Sequence, residues 1–272
     1  MTDLLRSVGL SRYELNARLK PALLALLPTA GVALFWYPGA WSTVGSIVAA
    51  GSACGVLYAI AQLARNRGRA VERGLKREVG RDHSARLLTH ADDTLLAETK
   101  ARYHAYLRSH DKVLSTADEE RAGPEVAFCR ARSAVDWLLE HTRTGGGAAL
   151  LLDENISYGF QRNLLGLKPF GIGLSAIAIV VHVLLLSLAT PGEERFWVGV
   201  AVCIPLAALL FWWVFFVTKG AVAEASLAYA QRLLANCEPA VTTPRPRRIS
   251  SGSSKSAPPP AMPRQREVAS EP

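Results

Sequence analysis

Apolar and polar positions along this chain fall into blocks rather than an even mixture. No Asp, Glu, Lys or Arg occurs from Pro21 to Ala64, from Pro169 to Gly192, or from Phe196 to Thr218. A hydrocarbon layer of roughly 30 Å is crossed by about 20 apolar residues in helical form, because buried backbone groups must find their hydrogen bonds inside the segment. All three stretches are long enough, and the first is too long for a single helix. The YPGAW sequence, Tyr37 to Trp41, places Pro and Gly inside it, which predicts a break and a helical hairpin. A second hairpin is predicted from Pro169 to Ala189 and from Phe196 to Thr218, joined by the turn TPGEER.

Between the hairpins, residues 65–168 read as a polar helical insert. Asp92 and Asp93 are candidate caps for a helix whose apolar positions Leu95, Leu96, Tyr103, Tyr106 and Leu107 recur every three to four residues. Thr116 and Glu119 have the form of a capping box, and Pro124 suits the first position of a further helix. That helix carries Phe128, Ala131, Val135, Leu138 and Leu139 on one stripe, and the glycines at 145 to 147 end it. With so few large apolar residues, the insert needs the membrane, the second hairpin or another subunit to complete its core. The expected architecture is therefore all-α and integral to a membrane. Four transmembrane helices form two hairpins, 21–64 and 169–218, around a helical cytoplasmic insert, 65–168; a cytoplasmic segment, 1–20, precedes them. Residues 219–272 follow as a helix end and a tail. From Cys237 onward the tail holds eight prolines in 36 residues and a net charge of +3, a composition unable to form a packed core.

The net charge of +8 changes this reading little once the basic residues are placed. Arg12, Arg18 and Lys20 precede the first apolar stretch, Arg65, Arg67 and Arg69 follow it, Arg162 and Lys168 precede the second, and Lys219 follows the last. Lys and Arg beside short loops are retained on the cytoplasmic side, which puts both termini in the cytoplasm. No aromatic-interleaved basic helix accompanies the charge, so nucleic acid is not an expected partner. The insert itself holds 18 basic and 15 acidic residues, a net charge of +3. Arg outnumbers Lys by 24 to 7, a usage associated with GC-rich bacterial genomes and hence with a bacterial plasma membrane. The four cysteines, Cys54, Cys129, Cys203 and Cys237, have no paired spacing, so neither a disulfide framework nor a zinc site is expected. The charged first twenty residues precede no small-residue cleavage pattern, so the first span is expected to serve as its own insertion signal.

Candidate chemistry is sparse. Gly51 and Gly55 in GSACG have the small-xxx-small form that lets two helices approach closely in lipid. His182 is, apart from the thiols, the one strongly titratable side chain near mid-span; packing is its commoner role, and a proton or ligand role is the sharper one. In DENISYGFQRNLLGLKPFG, Asp153 to Gly171, the apolar residues Ile156, Phe160, Leu164 and Leu167 recur at helical spacing. This fits an interfacial helix along the inner leaflet. It serves either as a plain connector or, through Glu154, Asn155, Tyr158, Arg162 and Asn163, as a coupling element between insert and spans. His83, His104 and His110 form no credible ligand set, and no phosphate-cradling loop, nucleophile elbow or HExxH occurs. No catalytic residue, metal or cofactor is expected.

The motifs DDTLLAETKARYHAYL, Asp92 to Leu107, and ENISYGFQRNLLGLKP, Glu154 to Pro169, resemble a pattern shared by a group of bacterial multi-pass membrane proteins of unknown function. The resemblance implies four spans and a cytoplasmic insert and carries over no activity. The expected function is that of a non-enzymatic, membrane-anchored sensor or assembly protein. Its partners are the lipid bilayer, a cytoplasmic protein and, through the spans, further copies of itself. An oligomeric channel gated by the insert is the second reading, and a membrane-bound hydrolase using the insert histidines is the third.

Overall fold

The computed structural model describes residues 11–38, 43–78, 82–142 and 148–238, and all regular structure among them is helical. In chain order the helices are α1 (Glu14–Trp36), α2 (Thr43–Glu78), α3 (His83–Leu87), α4 (Ala97–Ser109), α5 (Ala117–Ala122), α6 (Pro124–Thr142), α7 (Ala148–Ser187), α8 (Glu194–Phe215) and α9 (Lys219–Leu234), followed by a short 3₁₀ turn, Ala235–Cys237.

Among the described residues, three helices are long and apolar enough to cross a membrane: α1, α7 and α8. Their outward faces show why lipid is the fitting solvent. Leu27 is 54%, Leu184 59% and Ile204 72% exposed, and each such side chain left in water forgoes about 1.5–3 kcal/mol. In α1, Pro28 costs the helix one internal hydrogen bond, and the Thr29 hydroxyl beside it donates to the Leu26 carbonyl, 2.8 Å. The helix stops at Trp36, as the YPGAW sequence predicts, while residues 39–42 lie outside the described ones. α2 carries the uncharged stretch 43–64 and runs on without interruption to Glu78.

The polar domain packs around Leu87, Leu88, Leu107, Leu138, Leu233 and Leu234, all nearly or fully buried. The α6 stripe supplies Ala131, Val135 and Leu138, with Phe128 and Leu139 packed against its edge. Thr116 and Glu119 form the expected capping box of α5, and Pro124 opens α6. Asp92 and Asp93 do not cap α4. That helix starts at Ala97 behind Leu96 without a side-chain cap, and Asp92 Oδ1 instead accepts from the Thr94 amide at 2.9 Å. What completes this core is α9, outside the 65–168 stretch, which buries Ala230, Leu233 and Leu234 in it. Cys237, just past α9, is buried too, and burial pushes its thiol up to about 12. The rest of the tail, like the glycines at 145–147, lies outside the described residues.

The segment expected to lie as a surface connector does something else. It forms one unbroken helix with the apolar stretch behind it, α7, of 40 residues. At a rise of about 1.5 Å per residue this is ~60 Å, twice the thickness of a hydrocarbon layer. One helix thus belongs to both the apolar layer and the polar domain.

Candidate functional site

Along α7, polar groups gather at three levels. The farthest from the polar domain is His182, which is fully buried. The Trp36 indole N–H donates to its Nδ1 at 3.0 Å, and its Nε2 lies 2.9 Å from the Gly199 carbonyl. An indole can only donate, so Nδ1 must accept and Nε2 must carry the proton given to Gly199. The ring is thus a neutral link between α1, α7 and α8, with both nitrogens used. Arg195 reinforces the same end, donating to the carbonyls of Phe35 and Trp36 at 3.1 and 2.9 Å.

The middle level joins α1, α2 and α7. Asn163 is fully buried, and its amide nitrogen donates to the Ala17 carbonyl at 2.7 Å. Ala17 lies in the π-helical opening of α1, Glu14–Leu19. The same face of α7 carries Gly159 and Gly166. A Cβ on Gly159 would meet the Tyr13 hydroxyl at 2.7 Å, and one on Gly166 would meet the backbone nitrogen of Gly68, on α2, at 2.7 Å. Close helix approach therefore occurs at Gly68 and Gly166. Gly55, expected as a packing residue, has nothing within 4 Å of where its Cβ would stand, and the side-chain environment of Gly51 lies outside the described residues.

The third level is a polar cavity of about 320 Å³ bounded by α2, α3, α6, α7 and α9. From α7 come Asn155, Tyr158 and Arg162, three of the five residues expected to couple insert and spans. Asn163 faces the helix junction instead, and Glu154 is half-buried but not part of the cavity lining. Arg162, whose side chain is 14% exposed, binds Glu72 of α2 at 2.6 Å and lies over the Tyr158 ring. Lys76 reaches both Glu72 (3.4 Å) and Asp82 (3.2 Å), so charge alternates across the floor. His83 meets Ser226 of α9 at 2.9 Å. Burial and the neighbouring Arg86 hold its imidazole below the ordinary 6.5, with Asp82 and Asp92 opposing.

The candidate histidines His83, His104 and His110 do not meet one another; His104 packs edge-on against His90, ring centroids 5.1 Å apart, and His110 lies 5.9 Å from His141. His83 lines the cavity, His104 binds the Leu88 carbonyl at 2.8 Å, and His110 Nδ1 binds the Tyr106 carbonyl at 2.9 Å. Among the described residues no group of three or more His, Cys, Asp or Glu could hold a metal ion. The cavity residues from α2, α6 and α9 were not foreseen from sequence, since no local signal in Glu72, Arg132, Asp136 or Ser226 says that they face one another. Gly159, Asn163 and Gly166 share one face at helical spacing, and that was the available signal for the junction. No protein-family model, curated protein or solved structure matches the chain.

Proposed function

We propose that this chain is a non-enzymatic sensor of the bacterial plasma membrane. It spans the bilayer four times with both termini in the cytoplasm, and its helical domain responds to a cytoplasmic ligand or partner. The uncharged part of α2, 43–64, is the fourth span, pairing with α1 as α7 pairs with α8. Arginines and lysines beside the apolar stretches support this orientation. One observation carries the sensing role: α7 alone contributes a wall of the polar cavity, the Asn163 junction and the His182 link. α7 runs through Pro169, which removes one internal hydrogen bond between the cavity and the span, yet the helix continues on both sides of it, so a shift at the cavity moves a helix continuous with the span.

The test is hydrogen exchange on the protein in lipid nanodiscs, comparing wild type with Arg162→Ala, which removes the α7 partner of Glu72. Coupling predicts changed protection in residues 172–187 as well as around the cavity. Protection altered only within the polar domain would sink the proposal. A reporter fused after Pro272 should be active only in the cytoplasm, and activity outside the cell overturns the topology.

A further inference from the structure

We propose that the polar cavity binds a small zwitterion of amino-acid class, a molecule with one anionic oxygen group and one cationic nitrogen. The proposal deepens the sensor reading by naming its ligand. Six charged residues line the cavity in equal numbers of each sign: Lys76, Arg132 and Arg162 against Glu72, Asp82 and Asp136. A ligand of one charge would meet like charges as well as opposite ones, whereas a zwitterion finds a partner for each end. Four of the six already pair with one another, as Arg162 with Glu72 and Lys76 with Glu72 and Asp82. Arg132 and Asp136 belong to no ion pair among the described residues, and both are exposed where they line the cavity.

Their spacing is informative. They stand one turn apart on α6, where side chains project to the same face with Cβ atoms about 5–6 Å apart. The Arg-before-Asp order is the weaker orientation for a pair of their own. A carboxylate on Arg132 and an ammonium on Asp136 would each make a charge-assisted hydrogen bond. The rest of the molecule would enter a cavity whose walls offer the Asn155 amide, the Ser226 hydroxyl and the phenol of Tyr158. At ~30 Å³ per water, the volume of about 320 Å³ suits roughly ten non-hydrogen atoms, and it stands at the small end of ligand pockets.

Location separates a soluble ligand from a lipid headgroup. Lys168 marks the near edge of the apolar layer, donating to the Val214 and Val217 carbonyls at the end of α8. Arg162 and Asn155 lie six and thirteen residues before it on the same helix, hence ~9 and ~20 Å into the polar domain. A headgroup does not reach that depth.

The experiment is titration calorimetry on the full chain in nanodiscs. The probes are the standard amino acids, with inorganic phosphate and methylammonium as single-charge controls. At least one zwitterion is expected to bind one to one. Asp136→Asn and Arg132→Gln, both on the surface, should each weaken it about tenfold or more, the effect of one lost charge-assisted hydrogen bond. No saturable heat from any amino acid overturns the proposal, as does binding of either control alone with equal affinity. Binding that both variants leave intact overturns it as well. Hydrogen exchange then separates this proposal from the sensor reading. A zwitterion that binds without changing protection in residues 172–187 leaves the site standing and removes the sensor. Protection there that responds to Arg162→Ala while no amino acid binds does the reverse.

Discussion

Substituting Gly166 by Ala asks whether the α2 and α7 helices really meet where the structure puts them. The new methyl would sit 2.7 Å from the Gly68 nitrogen, 2.8 Å from the Arg67 carbonyl carbon and 3.0 Å from the Arg67 Cβ. Two of these three are backbone atoms, which cannot rotate away. Comfortable contact needs about 3.5–4.0 Å, so the crossing must open by roughly 1 Å, an overpacking penalty of about 1–3 kcal/mol. Alanine also favours the helix over glycine by roughly 1 kcal/mol, which blurs the absolute change. Gly55→Ala carries the same propensity gain with nothing within 4 Å to meet. The difference between the two variants therefore isolates the crossing, and it should be ~1–3 kcal/mol with Gly166→Ala the less stable. Reversible unfolding in mixed micelles, followed by circular dichroism, measures it. Equal stability within about 0.5 kcal/mol would refute the crossing as described. Any packing role of Gly51 and Gly55 then falls to contacts between copies, which crosslinking in membranes reads separately.

His104 gives the polar domain an acid-sensitive point. Burial is the main cause of its lowered pKa, with His90, Lys100 and Arg108 adding to it and the Leu88 hydrogen bond opposing; the folded state therefore binds fewer protons than the unfolded one below pH 6.5, and stability falls as pH drops through that window. His104→Gln keeps a donor for Leu88 and should flatten part of the acid limb in unfolding curves from pH 8 to 5, whereas an unchanged slope would count against the assignment. His182→Ala strands the Trp36 indole and the Gly199 carbonyl. It should cost roughly 1–3 kcal/mol in micelle unfolding, and a loss below about 0.5 kcal/mol would show the link to be dispensable. Leu138→Ala empties the centre of the polar core at a cost of about 2–5 kcal/mol, seen as a lower melting temperature; a shift within error would mean that the core collapses around the gap.

What could be read in the sequence, and what could not, divides along the range of the interactions. The capping box at Thr116 and the start at Pro124 depend on residues within one turn of each other and the apolar blocks on contiguous runs; the structure shows the cap, the start and, among the described residues, three of the four expected spans as helices long and apolar enough to cross a membrane. The stripe on α6 was legible for the same reason. Which glycines make a crossing was not, because GxxxG-like spacing says only that a face is smooth. Gly55 has that spacing with Gly51 and meets nothing, whereas Gly166, with Arg162 and Phe170 four residues to either side, lies at the crossing. The membership of α9 in the polar core was hidden likewise. Its apolar positions Leu227, Ala230 and Leu233 were there to see, but their partners lie across the return through α8. The cavity draws on five helices, so none of them announces it.

The two interhelix cations show how a statistical charge rule becomes a specific contact. A helix ends with carbonyls that have no internal partner and with a negative dipole end. At the near edge of the apolar layer, α8 ends in this way, and Lys168 of α7 donates to the carbonyl of Val214 in its last turn at 2.9 Å and to that of Val217 just beyond it at 2.8 Å. At the far edge α1 ends, and Arg195 of α8 serves its Phe35 and Trp36 carbonyls while lying 5.3 Å from the Trp36 ring centroid. The positive-inside rule accounts for the first cation and is silent about the second, which stands on the side where basic residues are scarce. Local satisfaction of backbone acceptors explains both, because carbonyls near hydrocarbon lack the water that would otherwise bond to them. The near contact joins α7 to α8 and the far one joins α8 to α1, so each binds a helix end to a different neighbour. With His182 linking the same three helices, movement of α7 cannot leave α8 and α1 behind without breaking bonds that lipid cannot replace.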